Sequence, residues 1–205
     1  DVLAYNTHYL GFNANMLANE MFLDSSSLRS SVVSHAKTLG YVPTSARASK
    51  ATVDVTLNTN DTSATMPAGT VFNTTVDDVS YQFSTISDVT KSNTGNTIPF
   101  VGVDIYEGSF ITTRYTVDSS DVDQRFIITD NRADTTTLTV KVQTSSTDSS
   151  SNTFTEATDI TQVTTGSNVY FLQEVEAGLF EVYFGDGIIG TALSDDNIVI
   201  LTYVV

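Results

Sequence analysis

Leu28-Arg29-Ser30-Ser31-Val32-Val33-Ser34-His35-Ala36-Lys37-Thr38-Leu39-Gly40-Tyr41-Val42-Pro43 is followed by Ala51-Thr52-Val53-Asp54-Val55-Thr56-Leu57, and the change of period between the two decides the fold. In the first stretch Leu28, Val32, Ala36 and Leu39 recur at helical spacing on one face. Asp24-Ser25-Ser26-Ser27 offers side-chain caps for the helix start. Lys37 stands in the last turn, where the helix dipole favours a cation. Gly40 suits the left-handed residue that closes a helix, and Pro43 prevents continuation. In the second stretch Val53, Val55 and Leu57 alternate with polar residues, the pattern of a half-buried strand.

Toward the N-terminus the helical period continues. Leu10, Ala14, Leu17 and Met21 form one row, and Tyr9, Phe12 and Met16 form a second beside it. Together they make a stripe wider than a helix needs to sit on one core. Two readings fit: a helix buried in its own domain, or one that packs on both its own body and another chain. The second makes Tyr9, Leu10, Phe12, Met16, Leu17, Met21, Leu28 and Val32 the candidate partner interface.

Toward the C-terminus the period of two persists. Val101, Val103 and Ile105 are expected on one face, as are Ile111, Thr113, Tyr115 and Val117. Leu138, Val140 and Val142 alternate in the same way, and so do Phe180, Val182 and Phe184. Turn chemistry separates them at Pro67-Ala68-Gly69, Asn93-Thr94-Gly95-Asn96, Glu107-Gly108 and Gly166-Ser167-Asn168. No helical pattern lies between the strands, so the sheet is expected to be mostly antiparallel. Residues 144–152, almost all Ser, Thr and Asp, read as an exposed loop. The fold class is therefore α+β, with a helical assembly element at 1–47 and a β-rich body at 48–205. The sequence ends inside an apolar run, Ile198 to Val205, which suggests further chain or a covering partner.

Composition narrows the function. The 205 residues carry 24 Asp+Glu against 9 Lys+Arg, a formal charge of −15. Nine scattered cations cannot build a patch for a phosphate backbone or an anionic membrane surface, so neither nucleic acid nor membrane is expected as partner. The absence of cysteine excludes thiol chemistry and cysteine-held metals. The chain has two histidines, His8 and His35, both in the helical region, and no nucleophile elbow or phosphate loop is present. No enzyme activity, cofactor, metal or small-molecule substrate is expected.

Gly185-Asp186-Gly187-Ile188-Ile189-Gly190 has the literal spacing of a dinucleotide fingerprint and follows a strand. Too little chain follows for the crossover helix and its acidic partner. Gly185, Asp186, Gly187 and Gly190, like Gly40 and Pro43, are better read as turn residues. The acidic run Asp118-Ser119-Ser120-Asp121-Val122-Asp123 lacks the glycine and terminal Glu of a helix–loop–helix calcium site and reads as a solvated loop.

Two segments resemble a known family. Tyr5-Asn6-Thr7, Asn19-Glu20-Met21-Phe22-Leu23-Asp24 and Leu28 through Pro43 with Ala46 are similar to the baseplate wedge subunit of T-even-like contractile-tailed bacteriophages, in the baseplate J-like group. Tyr183-Phe184-Gly185-Asp186-Gly187-Ile188-Ile189-Gly190, then Asn197-Ile198-Val199 and Tyr203, resembles the same family's glycine hairpin. One departure is Asp195-Asp196-Asn197, where the family pattern leads to a glycine at or beside Asp196. The resemblance implies a virion protein of the tail baseplate, partnered by its own copies and neighbouring wedge subunits around the tail tube. A separate reading of the polar strands and long loops is an acidic binding module of an adhesin or carbohydrate-binding surface protein.

Overall fold

The computed structural model describes residues 1–175 and 177–205. Two helices, α1 (Val2–Glu20) and α2 (Arg29–Thr38), precede a body of strands, as the α+β pattern requires. The first part of the body holds β1 (Lys50–Asn58), β2 (Ser63–Met66), β3 (Val71–Val76), β4 (Val79–Ser84), β5 (Val89–Ser92) and β6 (Thr97–Glu107). The second holds β7 (Phe110–Thr116), β8 (Phe126–Ile128), β9 (Asp134–Gln143), β10 (Ser151–Glu156), β11 (Val169–Glu174), β12 (Phe180–Phe184) and β13 (Ile198–Val204).

Helix α2 stops as its sequence dictates. The Tyr41 N–H reaches the Ala36 carbonyl and the Gly40 N–H that of Lys37, both at 3.0 Å, with Gly40 at φ +74°. Its start differs from expectation. The N-cap position is Leu28, and none of Asp24 to Ser27 caps it through a side chain. The inward face differs too: Val33 is buried, whereas Leu28 and Leu39 are exposed. Val33, which lies off the Leu28-Val32-Ala36-Leu39 row, is the residue turned inward.

Strands 1–6 form a four-stranded sheet, β1-β6-β4-β3, and a small β2-β5 pair around Met66, Ile98, Phe100, Val103 and Ile105. The expected alternation through Val101 is broken. Ile98 and Phe100 face the core, then Val103 and Ile105 do, so Val101 is left 64% exposed. A bulge causes this: Val53 pairs with Val103 but Val55 with Phe100, Gly102 takes φ +70°, and its N–H bonds the Asp54 carboxylate at 2.7 Å.

The later strands form one curled sheet in the order β7-β13-β9-β10-β11-β12-β8, antiparallel except for the short β10–β11 pairing. Its core includes Ile128, Val140, Val182, Val199, Leu201 and Tyr203. The closing run β13, expected to want cover, has it from β7 and β9 of the same chain. Ser151 and Asn152, read as loop, belong to β10. Curling brings the two edges together: the Tyr115 hydroxyl donates to the Ile127 carbonyl at 2.5 Å, and its ring meets Phe126 edge-on.

Polar ties fasten the helical element to this sheet. The Asp134 carboxylate accepts the Ala48 N–H at 2.9 Å, and the Ser45 hydroxyl accepts the Thr135 N–H at 2.9 Å. Arg29 on α2 grips Glu174 at the end of β11 through two bonds of 2.7 and 2.8 Å. The glutamate side chain is 1% exposed and the arginine 60%. Removing the cation strands a buried carboxylate, a loss of about 3–5 kcal/mol in a fully enclosed pair. Solvent around the arginine lowers this, so Arg29→Ala should cost about 2 kcal/mol in urea unfolding. Arg29→Met with Glu174→Met should recover most of it.

The β3–β4 hairpin turns through Asp77 and Asp78 at φ +49° and +62°, a two-residue turn that favours Asn-Gly. Asp77→Asn with Asp78→Gly should relieve about 1 kcal/mol of backbone strain and raise the melting temperature by about 2–4 °C in calorimetry.

Candidate interaction surface

Between Asp1 and Glu20 helix α1 carries no Asp, Glu, Lys or Arg. At about 100° per residue its large apolar side chains fall into two rows. Leu3, Leu10 and Leu17 repeat every seven residues, with Met21 in line just past the helix end; Tyr5, Tyr9, Phe12 and Met16 lie roughly 140° round. Tyr5 and Tyr9 stack on each other at 6.0 Å. No residue of α1 is buried, and Leu10 and Leu17 are each 69% exposed. The helix therefore stands clear of its own sheet and presents both rows to solvent.

A carboxylate sets that posture. Glu20 ends α1 and points across the turn, accepting the Ser27 N–H at 3.0 Å, the Ser27 hydroxyl at 2.8 Å and the Leu28 N–H at about 3.3 Å. It thereby caps α2 from the preceding helix, the job the sequence suggested for Asp24 to Ser27. Hydrogen bonding from the Ser31 hydroxyl, then from Ser27 and Leu28, holds the Glu20 carboxyl down at about 2. His35 contacts the Glu20 carbonyl at 3.0 Å, and His8 lies exposed on α1.

The predicted interface residues do not form one patch. Tyr9, Leu10, Phe12, Met16, Leu17 and Met21 line α1, and Leu28 is exposed at the head of α2. Val32 instead borders an apolar groove of about 350 Å³ with Val33, Ala36, Tyr41 and the turn residue Pro43. Arg29 and Glu20, which position the surface, carry no periodic signal in the sequence. Capping spacing across the inter-helix turn was the sole available clue, and it pointed to nearer acceptors.

At the far end of the curled sheet the glycine segment closes the β12–β13 connection. Asp186 accepts the N–H groups of Ile188 and Ile189 at 2.9 and 3.0 Å, and Gly187 and Gly190 take φ +87° and +84°. A Cβ on Gly185 would overlap the Ile189 carbonyl. The segment bends into a turn, with no helix opening at its glycines to receive a pyrophosphate. Asp196, at or beside which the resemblance leads one to expect a glycine, adopts φ +63°, a left-handed backbone conformation in a non-glycine residue.

The buried acids are absorbed by structure. Glu174 holds Arg29, Glu181 holds Arg125 at 2.8 Å, and Asp134 takes the Ala48 and Thr136 N–H groups. The total accessible surface is 12,866 Å², against about 9,300 Å² for a compact monomer of this mass. The excess, about 3,500 Å², is more than a standard stable interface buries.

No family model matches the chain. It is similar to the baseplate wedge protein gp6 of Enterobacteria phage T4, 30% identical over 202 residues. That alignment covers 95% of this chain and 29% of the phage T4 protein. The chain is thus distantly homologous to a phage baseplate wedge protein and spans less than a third of that relative's length. The helices and the sheets fall within one alignment, so they were inherited together.

The Glu20 cap gives a pH signature. Its carboxyl sits below the ordinary 4.5, so its contribution is complete above about pH 5, declines as pH falls, and is gone near pH 2. Carbon-detected NMR titration should place Glu20 near 2, and Glu20→Ala, which removes the acceptor, should fray the start of α2 at neutral pH but change little near pH 2. Titration at the ordinary carboxylate value would mean that the cap does not form.

Proposed function

We propose that this chain is the assembly-mediating part of a baseplate wedge subunit in a phage contractile tail, of the baseplate J-like group. Its α1 rows pack against helices of a second copy and of a neighbouring wedge subunit, and the curled sheet mounts that helix on the inner ring around the tail tube. The role is structural and resides in the virion. No catalytic step, cofactor, nucleic acid, membrane or small-molecule substrate belongs to it.

The observation that carries this reading is the bare helix. A helix apolar along two rows and buried on neither is stable in water only when something covers it. Two rows roughly 140° apart suit two neighbours, as in a bundle, better than one. The distant homology to a phage baseplate wedge protein supplies the biological setting. The excess surface supplies the area.

Sedimentation velocity over a range of concentrations tests it. The chain should self-associate, and Leu10→Asp with Leu17→Asp should weaken association at least about a hundredfold, since each buried leucine contributes roughly 2 kcal/mol. Both residues are solvent-exposed in the single chain, so the folded sheet should melt unchanged. A chain that stays monomeric at the highest soluble concentration, and fails to bind a co-expressed wedge partner through α1, would refute the reading.

A further inference from the structure

We propose a second contact between copies, independent of α1: the Asp121-Val122-Asp123 loop tip of one molecule seats in the outer groove of the β7-β13-β9 face of the next. The register of the curled sheet places Arg114 opposite Ile200 and Ile200 opposite Lys141, so three adjacent strands present a row that reads basic, apolar, basic. The flanking rows are Thr112-Thr202 with Thr139, and Thr116-Ile198 with Gln143. Ile86 and Asp88 overhang the face and make it a groove of about 560 Å³. Asp88 is turned to its own loop, accepting the Ala68 N–H at 2.8 Å.

The row is unusual for this chain. Arg29, Lys50, Arg125 and Arg132 are each consumed in an ion pair. Arg114 and Lys141 form none with a described residue, and neither do Lys37, Arg47 and Lys91; what sets the first two apart is that the sheet register places them on one face, either side of Ile200. Two free cations on one face of a protein at −15 are an electrostatic counterpart to the rest of its own surface.

The matching element is the loop after β7. Its base is fixed: the Ser119 N–H bonds Asp195 at 2.8 Å, Ser120 bonds Asp118 at 2.9 Å, and the Gln124 amide bonds the Thr116 carbonyl at 2.8 Å. Asp121, Val122 and Asp123 are all exposed, Val122 at 93%, the most exposed large hydrophobic residue described; one Asp121 oxygen accepts the Asp123 N–H at 3.1 Å and its other oxygen has no partner among the described residues. The tip reads acidic, apolar, acidic. Arg114 and Lys141 stand two strand spacings apart, about 9.6 Å, on either side of Ile200. The Gln124 N–H meets the Asp121 carbonyl at 3.3 Å, closing a turn over 121–124 that sets Val122 at its apex with Asp121 and Asp123 on either side. Val122 then lies on Ile200 while each aspartate meets one cation.

Tip and groove are different surfaces of one chain, so the contact is head-to-tail. Each copy offers one of each, and repetition closes a ring or runs on as a filament. This geometry needs neither α1 nor a wedge partner.

Because the chain has no cysteine, cross-linking is clean. One full-length preparation carries Val122→Cys, another Ile200→Cys, and the two are mixed with a short bismaleimide. The heterodimer should form, fall at least about tenfold in 0.5 M salt, and fall similarly when the Ile200→Cys partner also carries Arg114→Glu and Lys141→Glu. It should return when the Val122→Cys partner carries Asp121→Lys and Asp123→Lys. Circular dichroism and melting confirm that each variant folds. Repeating the mixture with Leu10→Asp and Leu17→Asp in both partners separates the two readings: the 122–200 link should persist while helical association is lost. No heterodimer with the native charges, or one indifferent to reversal, overturns the proposal. Binding of a poly-glutamate peptide to the groove with no heterodimer would mean that an acidic segment of another protein is the occupant, and would overturn it too.

Discussion

The Glu174 carboxylate governs how this molecule is arranged. It ends β11 buried at 1% exposure and must be compensated. The cation comes from Arg29, far away in the chain, so satisfying the acid fixes where α2 sits. Once α2 is fixed, its unpaired N-terminal N–H groups need an acceptor, and Glu20 reaches back from α1 to provide it. That bond in turn fixes the turn between the helices and holds α1 away from the sheet. Three charged side chains thus set the orientation of a helix that contributes nothing to its own core.

This arrangement decouples the helical element from the sheets in energetic terms. The two apolar clusters of the body, around Phe100 and around Leu201, are each closed without a helix residue. Only Val33 of the helices is buried. The apolar surface of α1 therefore remains available, and its burial in an assembly carries its full hydrophobic gain with no internal contacts to break. Polar ties such as Ala48 to Asp134 give direction without consuming that surface.

The helical stop at Gly40 and Pro43, the switch to period two and the late strands were legible because each is a local pattern. Strands β3 and β4 were not, since their hairpin turns on Asp77-Asp78 rather than on glycine or asparagine and their outward residues include Val71, Val76 and Val79. The inversion at Val101 was hidden for another reason: Gly102 looks like an ordinary strand residue until its bond to Asp54 on a partner strand is known. The α1 rows were readable as an over-wide stripe, but whether they faced inward or outward depends on Arg29, Glu174 and Glu20. Such long-range and inter-helix pairings leave no periodic trace. Val32 shared this fate, drawn into the α2 groove while Leu28 stayed exposed at the head of the same helix.

Net charge frames the remaining question of how copies approach. Molecules at −15 repel, and screening at physiological salt confines that repulsion to about 8 Å, so it acts where surfaces meet. Contact is then favourable only where charge is absent or reversed. Helix α1 meets the first condition, with no Asp, Glu, Lys or Arg between Asp1 and Glu20 and with Glu20 engaged by its cap. The Arg114-Ile200-Lys141 row meets the second. Elsewhere acidic loops dominate, and they disfavour unspecific stacking of copies. An acidic surface relieved at a few defined places restricts the orientations in which copies can meet without repulsion.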